Sequence, residues 1–312
     1  MSKAKKWMER LLRYRTGRSS RGEASRESAP DAGPPIRIPV LAYHSAQVAG
    51  NAYRENDHAA LASDLRTIQH LGLRVLRAAT LVHWLQGNVS DEAVRGGVVL
   101  TCDDGCTLDF RDLEHPTCGR QRSFQGILED FREEFGCSAQ RDLELTSFVI
   151  ASADARRQIG ESVLVDASWL SDDWWADADR DGLLRIESHT WDHNHEAADP
   201  VCQREQVKGR FDNIETFEEC EASVRAASEW IASRIGRRPR FLAYPWGQSS
   251  AYLRERYLPQ QFDRHGLEAA FSTQGGYVTR SSDVFNIPRL VFGAHWSSPE
   301  ELVELLEAAG RT

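Results

Sequence analysis

Short apolar runs alternate with amphipathic segments along most of this chain. Runs rich in β-branched and aliphatic residues predict strands, and apolar residues every three or four positions predict helices. Strands are predicted at residues 36–44, 73–76, 96–101, 145–150, 183–188, 241–244, 267–272 and 284–292. Helices are predicted near residues 61–71, 81–85, 123–135 and 215–235, with a last one from Ser298. Seven or eight strands alternating with helices predict an α/β fold.

A single α/β barrel accounts best for this order of elements. No internal repeat and no linker divide the chain after Pro35, so residues 36–312 are predicted to form one domain and residues 1–35 a tail. The alternative is an open, doubly wound sheet. It is disfavoured because the first strand is not followed by the Gly-rich phosphate loop typical of that fold.

The charge is distributed unevenly, which bears on partners. Residues 1–22 carry eight Lys or Arg and one Glu, so the net charge of −9 leaves −16 on the remainder. An acidic body argues against a nucleic-acid partner. As a helix, residues 1–22 would place Trp7, Leu11 and Tyr14 opposite a cationic face suited to an anionic membrane. A solvated, disordered tail is the other interpretation.

Neither a secretory signal nor a membrane span is recognisable in the sequence. The N-terminal segment lacks the apolar core of a signal peptide, and no run approaches the about 18 apolar residues of a spanning helix. A cytoplasmic protein is therefore predicted, with membrane contact through residues 1–22 at the inner face. Six cysteines without zinc-ribbon spacing are predicted to be reduced thiols.

A histidine cluster follows the predicted strand at residues 183–188. His189 and His193 are four residues apart and can approach one ion from a helical turn, since neutral imidazole is a common ligand of Zn²⁺ and similar metals. His195 fits the same geometry less well. A histidine-rich surface turn without metal is the alternative interpretation.

Two further motifs also follow apolar strands. In Asp103-Asp104-Gly105 one carboxylate can bind a metal while its neighbour acts as a general base on a nearby water, although the same letters also form solvated turns. In residues 244–247, Tyr-Pro-Trp-Gly, a rigid Pro and a permissive Gly can direct a backbone N–H towards an oxyanion. A plain aromatic turn is the alternative there.

Together these motifs resemble those of the polysaccharide deacetylase family, also called the NodB-homology family or carbohydrate esterase family four. Residues 101–105 (Thr-Cys-Asp-Asp-Gly), 189–193 (His-Thr-Trp-Asp-His) and 245–247 (Pro-Trp-Gly) match its motifs in order and spacing. The first strand, Val-Leu-Ala-Tyr-His ending at His44, is similar to the opening strand of many members. The resemblance covers about residues 36–292.

The resemblance implies a distorted (β/α) barrel with one divalent ion in its mouth. Zn²⁺ is the expected ion, and Co²⁺, Ni²⁺ and Mn²⁺ are the alternatives. It implies that Asp104, His189 and His193 bind the ion. Asp103 is implied as the general base that takes a proton from a water activated by the metal. The backbone N–H of Trp246 is implied as an oxyanion donor, and we assign contacts with the substrate to Tyr244, Trp246, Gly247 and Arg289.

Three departures from the family pattern bear on the chemistry. Cys102 replaces the usual aromatic residue, without loss of a catalytic group. The arginine that steadies the base in many members has no counterpart in residues 241–244, and Arg289 is the hypothetical substitute. The family's general acid, a histidine within Leu-x-His, is also missing. His295 is our candidate for that role, and without an acid an O-acetyl ester is an easier substrate than an amide.

The predicted function is that of a metal-dependent hydrolase removing N- or O-linked acetyl groups from a carbohydrate or glycan precursor. Two alternatives stay open. The missing acid favours a non-catalytic carbohydrate-binding protein on the same fold, and the same metal chemistry also suits an amidohydrolase with a non-glycan substrate.

Overall fold

Eight parallel strands form the main sheet in a computed structural model that describes residues 35–202 and 207–310. They are β1 (Val40–Tyr43), β2 (Arg74–Leu76), β3 (Gly97–Cys102), β6 (Leu145–Val149), β7 (Leu184–Ser188), β8 (Phe241–Ala243), β9 (Ala269–Phe271) and β10 (Leu290–Val291). Seven lie side by side in the order β10-β1-β3-β6-β7-β8-β9, and β2 pairs with β3. The strands are buried on both faces, which explains their continuous apolar sequences.

The sheet curls until its two ends approach each other. On one side, the backbone N–H of Ala270 in β9 donates to the carbonyl of Val284, and Phe271 forms a parallel bridge with Ile287. On the other side, β10 pairs with β1. Residues 284–292 were predicted as one strand. The first half of this segment thus forms hydrogen bonds with β9, and the second half pairs with β1. The predicted distorted barrel is confirmed, and the doubly wound alternative is set aside.

Helices connect the strands and cover the outside of the sheet. They are α1 (Asp57–His70), α2 (Ala78–Leu85), α3 (Phe124–Phe135), α4 (Ala153–Val163), α5 (Trp175–Asp181), α6 (Phe217–Cys220), α7 (Ala226–Ile235), α8 (Leu258–Gln260), α9 (Phe262–His265) and α10 (Pro299–Gly310). The predicted starts of α3 and α10 agree with the structure, and Ser123 caps α3 by accepting from the N–H of Gly126. The helix predicted at residues 215–235 is observed as α6 and α7 with one π-helical turn between them.

Several elements were not predicted from the apolar pattern. The short antiparallel hairpin of β4 (Leu113–His115) and β5 (Gly119–Gln121) lies where we expected a loop. Helix α4 was not predicted either, because Ala155 and Ile159 are the only apolar side chains of useful size among its four buried residues. Such a narrow apolar stripe gives little periodic signal.

The described residues contain no helix of the length and apolarity that a membrane crossing requires. None of the six cysteines, all of which lie in the described part of the chain, forms a disulfide. The predicted basic tail, with its membrane helix, lies outside the described residues except for Pro35.

A buried carboxylate on α1 joins three parts of the barrel wall. Asp64 accepts hydrogen bonds from the hydroxyls of Tyr43 on β1, at 2.8 Å, and of Tyr53, at 2.6 Å. The indole N–H of Trp296, just before α10, donates to the same carboxylate at 3.2 Å. Burial raises the pKa of Asp64 to about 7, although these three donors oppose the rise.

We expect Asp64 to make the protein less stable as the pH rises from about 4 to about 7. In that range the folded protein keeps a proton on Asp64 that the unfolded chain has lost, so the free energy of unfolding falls by up to about 1.4 kcal/mol per pH unit. The Asp64→Asn variant should lack this fall in the free energy of unfolding. Urea unfolding of both proteins between pH 4.5 and 7.5 measures it, and parallel curves would contradict the assignment.

Candidate active site

Polar side chains meet at the carboxyl edge of the parallel sheet. His44 follows β1, Asp103 and Asp104 follow β3, His189 follows β7, and Trp246 lies in the turn after β8. Because the strands are parallel, their carboxyl ends lie at the same edge. The three sequence motifs, far apart along the chain, are therefore neighbours in space.

Asp104, His189 and His193 place three ligand-type atoms around one point. The Nε2 atoms of His189 and His193 lie 3.6 and 3.7 Å from Oδ1 of Asp104, and the three atoms are all within 4.8 Å of one another. Ligands of a tetrahedral zinc ion lie about 2.0–2.2 Å from it, and hence about 3.4 Å apart. The separations are too long for hydrogen bonds and suit three ligands of a single ion.

The surroundings prepare both imidazoles for this role. Nδ1 of His189 is 2.8 Å from the carbonyl of Ala243, which holds the ring so that Nε2 faces the cluster. Burial lowers the pKa of His189 and of His193, so both rings are neutral at pH 7 and can act as ligands. Burial and the neighbouring Asp103 raise the pKa of Asp104 to about 8 in the protein alone, an effect that a bound cation would reverse.

Asp103 is held by Arg289 rather than by the three-atom cluster. Two guanidinium nitrogens of Arg289 donate to the two carboxylate oxygens of Asp103 at 2.6 and 2.7 Å. Arg289 is itself fully buried and also donates to the hydroxyl of Thr101 and the carbonyl of Ser272. Burial alone would raise the pKa of Asp103, but Arg289 outweighs it and holds that pKa below its usual range. Asp103 is thus an ionised carboxylate with fixed orientation.

Left-handed backbone conformations concentrate at this site. Among the described residues, the non-glycine residues with positive φ are Asp104, Thr190, His193, Asn194 and Trp246, and all belong to the loops of the three motifs. Such conformations cost about 1–3 kcal/mol each and persist where the surrounding structure enforces them. Next to them, a Cβ on Gly105 would lie 2.7 Å from Cγ1 of Val149, so the turn after the two aspartates needs a glycine.

The pocket at the cluster includes some of the residues assigned to substrate contact and not others. Its lining consists of His44, Asp103, His189, His193, Trp246, Gly247, Thr273 and Val291. Tyr244 is absent from the lining. It is fully buried in an apolar cluster, and its hydroxyl donates to the carbonyl of Phe285 at 2.7 Å. Arg289 contacts Asp103 and is not part of the pocket lining.

His295, our sequence candidate for the general acid, is likewise not part of the pocket lining. Its Nδ1 accepts from the backbone N–H of Val291 at 2.9 Å, and its Nε2 faces Gly275, where a Cβ would lie 2.7 Å away. The ring therefore lies against Val291 and Gly275.

His44 is the functional candidate that the sequence reasoning left without a role. Its Nε2 lies 4.0 Å from Oδ2 of Asp103, and it lines the same pocket. The backbone N–H of His44 donates to Asp57 at 2.7 Å, which fixes the loop after β1. The proximity follows from the register of the sheet, in which Tyr43 pairs with Cys102 and the residues that follow them are His44 and Asp103.

The chain is similar to known proteins in sequence and in fold. The sequence model of the family described as polysaccharide deacetylase matches residues 125–284, just over half of the 312-residue chain. This match includes both histidine ligand candidates and the Pro-Trp-Gly turn, and it begins after Asp103 and Asp104. No curated protein matches the sequence significantly.

Solved structures of deacetylases share the fold at low sequence identity. The deacetylase PplD of Streptococcus pyogenes, in complex with acetate, has a TM-score of 0.57 and 15% identity, covering 88% of this chain and 99% of its own. IcaB from Ammonifex degensii has a TM-score of 0.59 and 17% identity, and the match covers 88% of this chain and 98% of the IcaB chain. A de-N-acetylase from Aggregatibacter actinomycetemcomitans has a TM-score of 0.55 and 15% identity, and the match covers 86% of this chain and 99% of that chain. At these identities the likeness establishes the fold.

The three-atom cluster predicts that His193→Ala weakens metal binding while His195→Ala does not. His195 is a matched control, because its ring lies beside those of His193 and Trp246 but is not one of the three clustered ligands. We expect at least about a tenfold loss of zinc affinity for His193→Ala, since a ligand is removed. Equilibrium dialysis with metal analysis measures it, and equal zinc content in both variants and the wild type would disprove the site.

Proposed function

Because the chain belongs to the polysaccharide deacetylase family, we propose that it is a metal-dependent hydrolase that removes N- or O-linked acetyl groups from a carbohydrate or glycan precursor. The observation that carries the metal dependence is the convergence of Asp104, His189 and His193 on one point. Asp103 lies next to that point, with its charge fixed by Arg289.

The donor set fits a divalent ion, with Zn²⁺ first and Co²⁺, Ni²⁺ and Mn²⁺ as alternatives. Two neutral imidazoles and one carboxylate are a common ligand set of catalytic zinc, and the carbonyl of Ala243 orients His189 as an outer partner of a ligand does. A bound ion would supply positive charge that lowers the pKa of a water and polarises the acetyl carbonyl.

Asp103 is the proposed general base. Its oxygens lie close to the cluster, with Oδ2 3.9 Å from Nε2 of His189, yet both are engaged by Arg289 and do not form part of the three-atom set. It is ionised at neutral pH and can take a proton from the attacking water. The buried guanidinium keeps its plane fixed, so the carboxylate needs little reorganisation during the reaction.

Trp246 and Gly247 also line the pocket. The left-handed conformation of Trp246, with φ 59°, turns the backbone at the Pro-Trp-Gly motif. We propose that the backbone N–H of Trp246 stabilises the negative oxygen of the tetrahedral intermediate. Gly247 permits the close approach of this turn to Thr273, whose Oγ1 would lie 1.9 Å from a Cβ at that position.

Protonation of the leaving nitrogen or oxygen is assigned to His44 in place of His295. Nε2 of His44 and Oδ2 of Asp103 lie 4.0 Å apart in the same pocket, so the proton that Asp103 takes from the water can pass to His44 and from there to the leaving atom. Burial lowers the pKa of His44 to about 4, so the neutral ring takes up this proton only as it passes it on. The cytoplasmic location, and the membrane contact through residues 1–22, stay predictions.

Asp103→Asn should abolish most of the activity and leave metal binding intact. The amide keeps the shape of the side chain but cannot accept the proton, so acetate release should fall by about 10²-fold or more. A panel of N- and O-acetylated sugars, assayed with metal-loaded wild type and variant, measures the loss. Turnover of no acetylated sugar by the wild type would favour the carbohydrate-binding alternative, and turnover only of non-glycan amides would favour the amidohydrolase.

Arg289→Lys should lower kcat by about tenfold or more with unchanged zinc content. Lysine keeps the charge but replaces a two-point contact with a single one, so Asp103 loses its fixed orientation. Arg240→Lys is a suitable control, because Arg240 also makes two contacts with one carboxylate, that of Glu268, away from the pocket. Equal kcat values for the two variants would show that the Arg289 contact is structural only.

A further inference from the structure

A further buried carboxylate lies close to the aspartate pair and has no part in the reaction proposed above. Asp109 ends the short 3₁₀ turn that follows the aspartate pair, and its side chain is fully buried. It accepts hydrogen bonds from Ser147, at 2.7 Å, and from the hydroxyl of Ser45. The thiol of Cys102 donates to it at 3.5 Å.

The three donors come from β3, from β6 and from the segment that follows β1. Ser45 directly follows His44, and Cys102 directly precedes Asp103. Ser147 lies on β6 and is paired in register with Cys102. A single carboxylate thus connects the segments that carry His44 and Asp103.

Burying a carboxylate in an apolar interior costs free energy. Burial raises the pKa of Asp109 to about 7, and the hydrogen bonds from Ser45, Ser147 and Cys102 oppose that rise. A buried carboxylate that accepts three hydrogen bonds fixes its donors more rigidly than an apolar side chain would, since each donor must point at it.

We propose that Asp109 is a positioning residue that sets the separation between His44 and Asp103. This inference rests on the proposed function, because those two residues are its proposed acid and base. Arg289 restrains Asp103 from one side, and Asp57 restrains the backbone of His44 from another. Asp109 adds the restraint that links the two residues to each other through Ser45 and Cys102.

Replacing Asp109 with Asn tests the proposal. The amide is of equal size but donates at one of the two positions where the carboxylate accepted, so Ser45 and Ser147 can no longer both donate to it. We expect kcat for an acetylated sugar to fall by about 10- to 100-fold, with KM and zinc content close to those of the wild type, because misplacement by about 1 Å can cost that much.

Asp64→Asn is the matched control. Asp64 is also fully buried, also accepts three hydrogen bonds, and also has a pKa of about 7, but its partners lie in the barrel wall. We expect a similar loss of stability and a kcat within about threefold of the wild type. Ser45→Ala, which keeps Asp109, should lower kcat in the same direction, and adding it to Asp109→Asn should cause little further loss, as expected for partners in one network.

Crystal structures of the wild type and of Asp109→Asn provide a measurement that does not depend on turnover. A change of about 0.5 Å or more between Nε2 of His44 and Oδ2 of Asp103 is expected in the variant. An unchanged separation, or a kcat no lower than that of Asp64→Asn, would overturn the proposal. If the wild type releases no acetate, the proposed function fails and the separation alone decides the role of Asp109.

Discussion

The ion pair between Arg289 and Asp103 connects the segment that closes the barrel with the proposed general base. Arg289 lies just before β10, in the segment that closes the barrel by bonding β9 and then β1, while Asp103 directly follows β3. Removing one partner of such a buried pair leaves an uncompensated charge, at a cost of about 3–5 kcal/mol. The segment that closes the sheet therefore also carries the side chain that fixes the proposed base.

Much of the fold was predictable because the strands are buried on both faces and appear as uninterrupted apolar runs. The site was also largely recognisable, since its motifs sit where such runs end. What the sequence could not reveal were relations across the sheet. Arg289 matches no motif position and could be named only as a hypothetical substitute for the missing arginine, because its contact with Asp103 depends on the pairing of β10 with β1 and of β1 with β3. The role of His44 likewise depends on the register between β1 and β3.

Tyr244 and His295 are predicted site residues that the structure places outside the pocket lining. Both flank segments that contribute to the pocket, and proximity in sequence suggested a role there. A strand alternates its side chains between two faces, however, and the Tyr244 ring points into the apolar layer beneath Phe285. His295 is fixed by the backbone of Val291, which itself contributes to the pocket. A side chain one position away from a pocket residue on a strand can therefore face away from the pocket and pack against the structure behind it.

The closing segment also has a consequence for synthesis of the chain. Arg289 is 186 residues later than Asp103, so a ribosome would have exposed the two aspartates and both histidines long before the guanidinium emerged. Until then Asp103 would be an unmatched charge facing an incomplete wall. The nascent barrel can acquire its secondary structure early, but the geometry on which hydrolysis depends is acquired only when translation has passed the final strand.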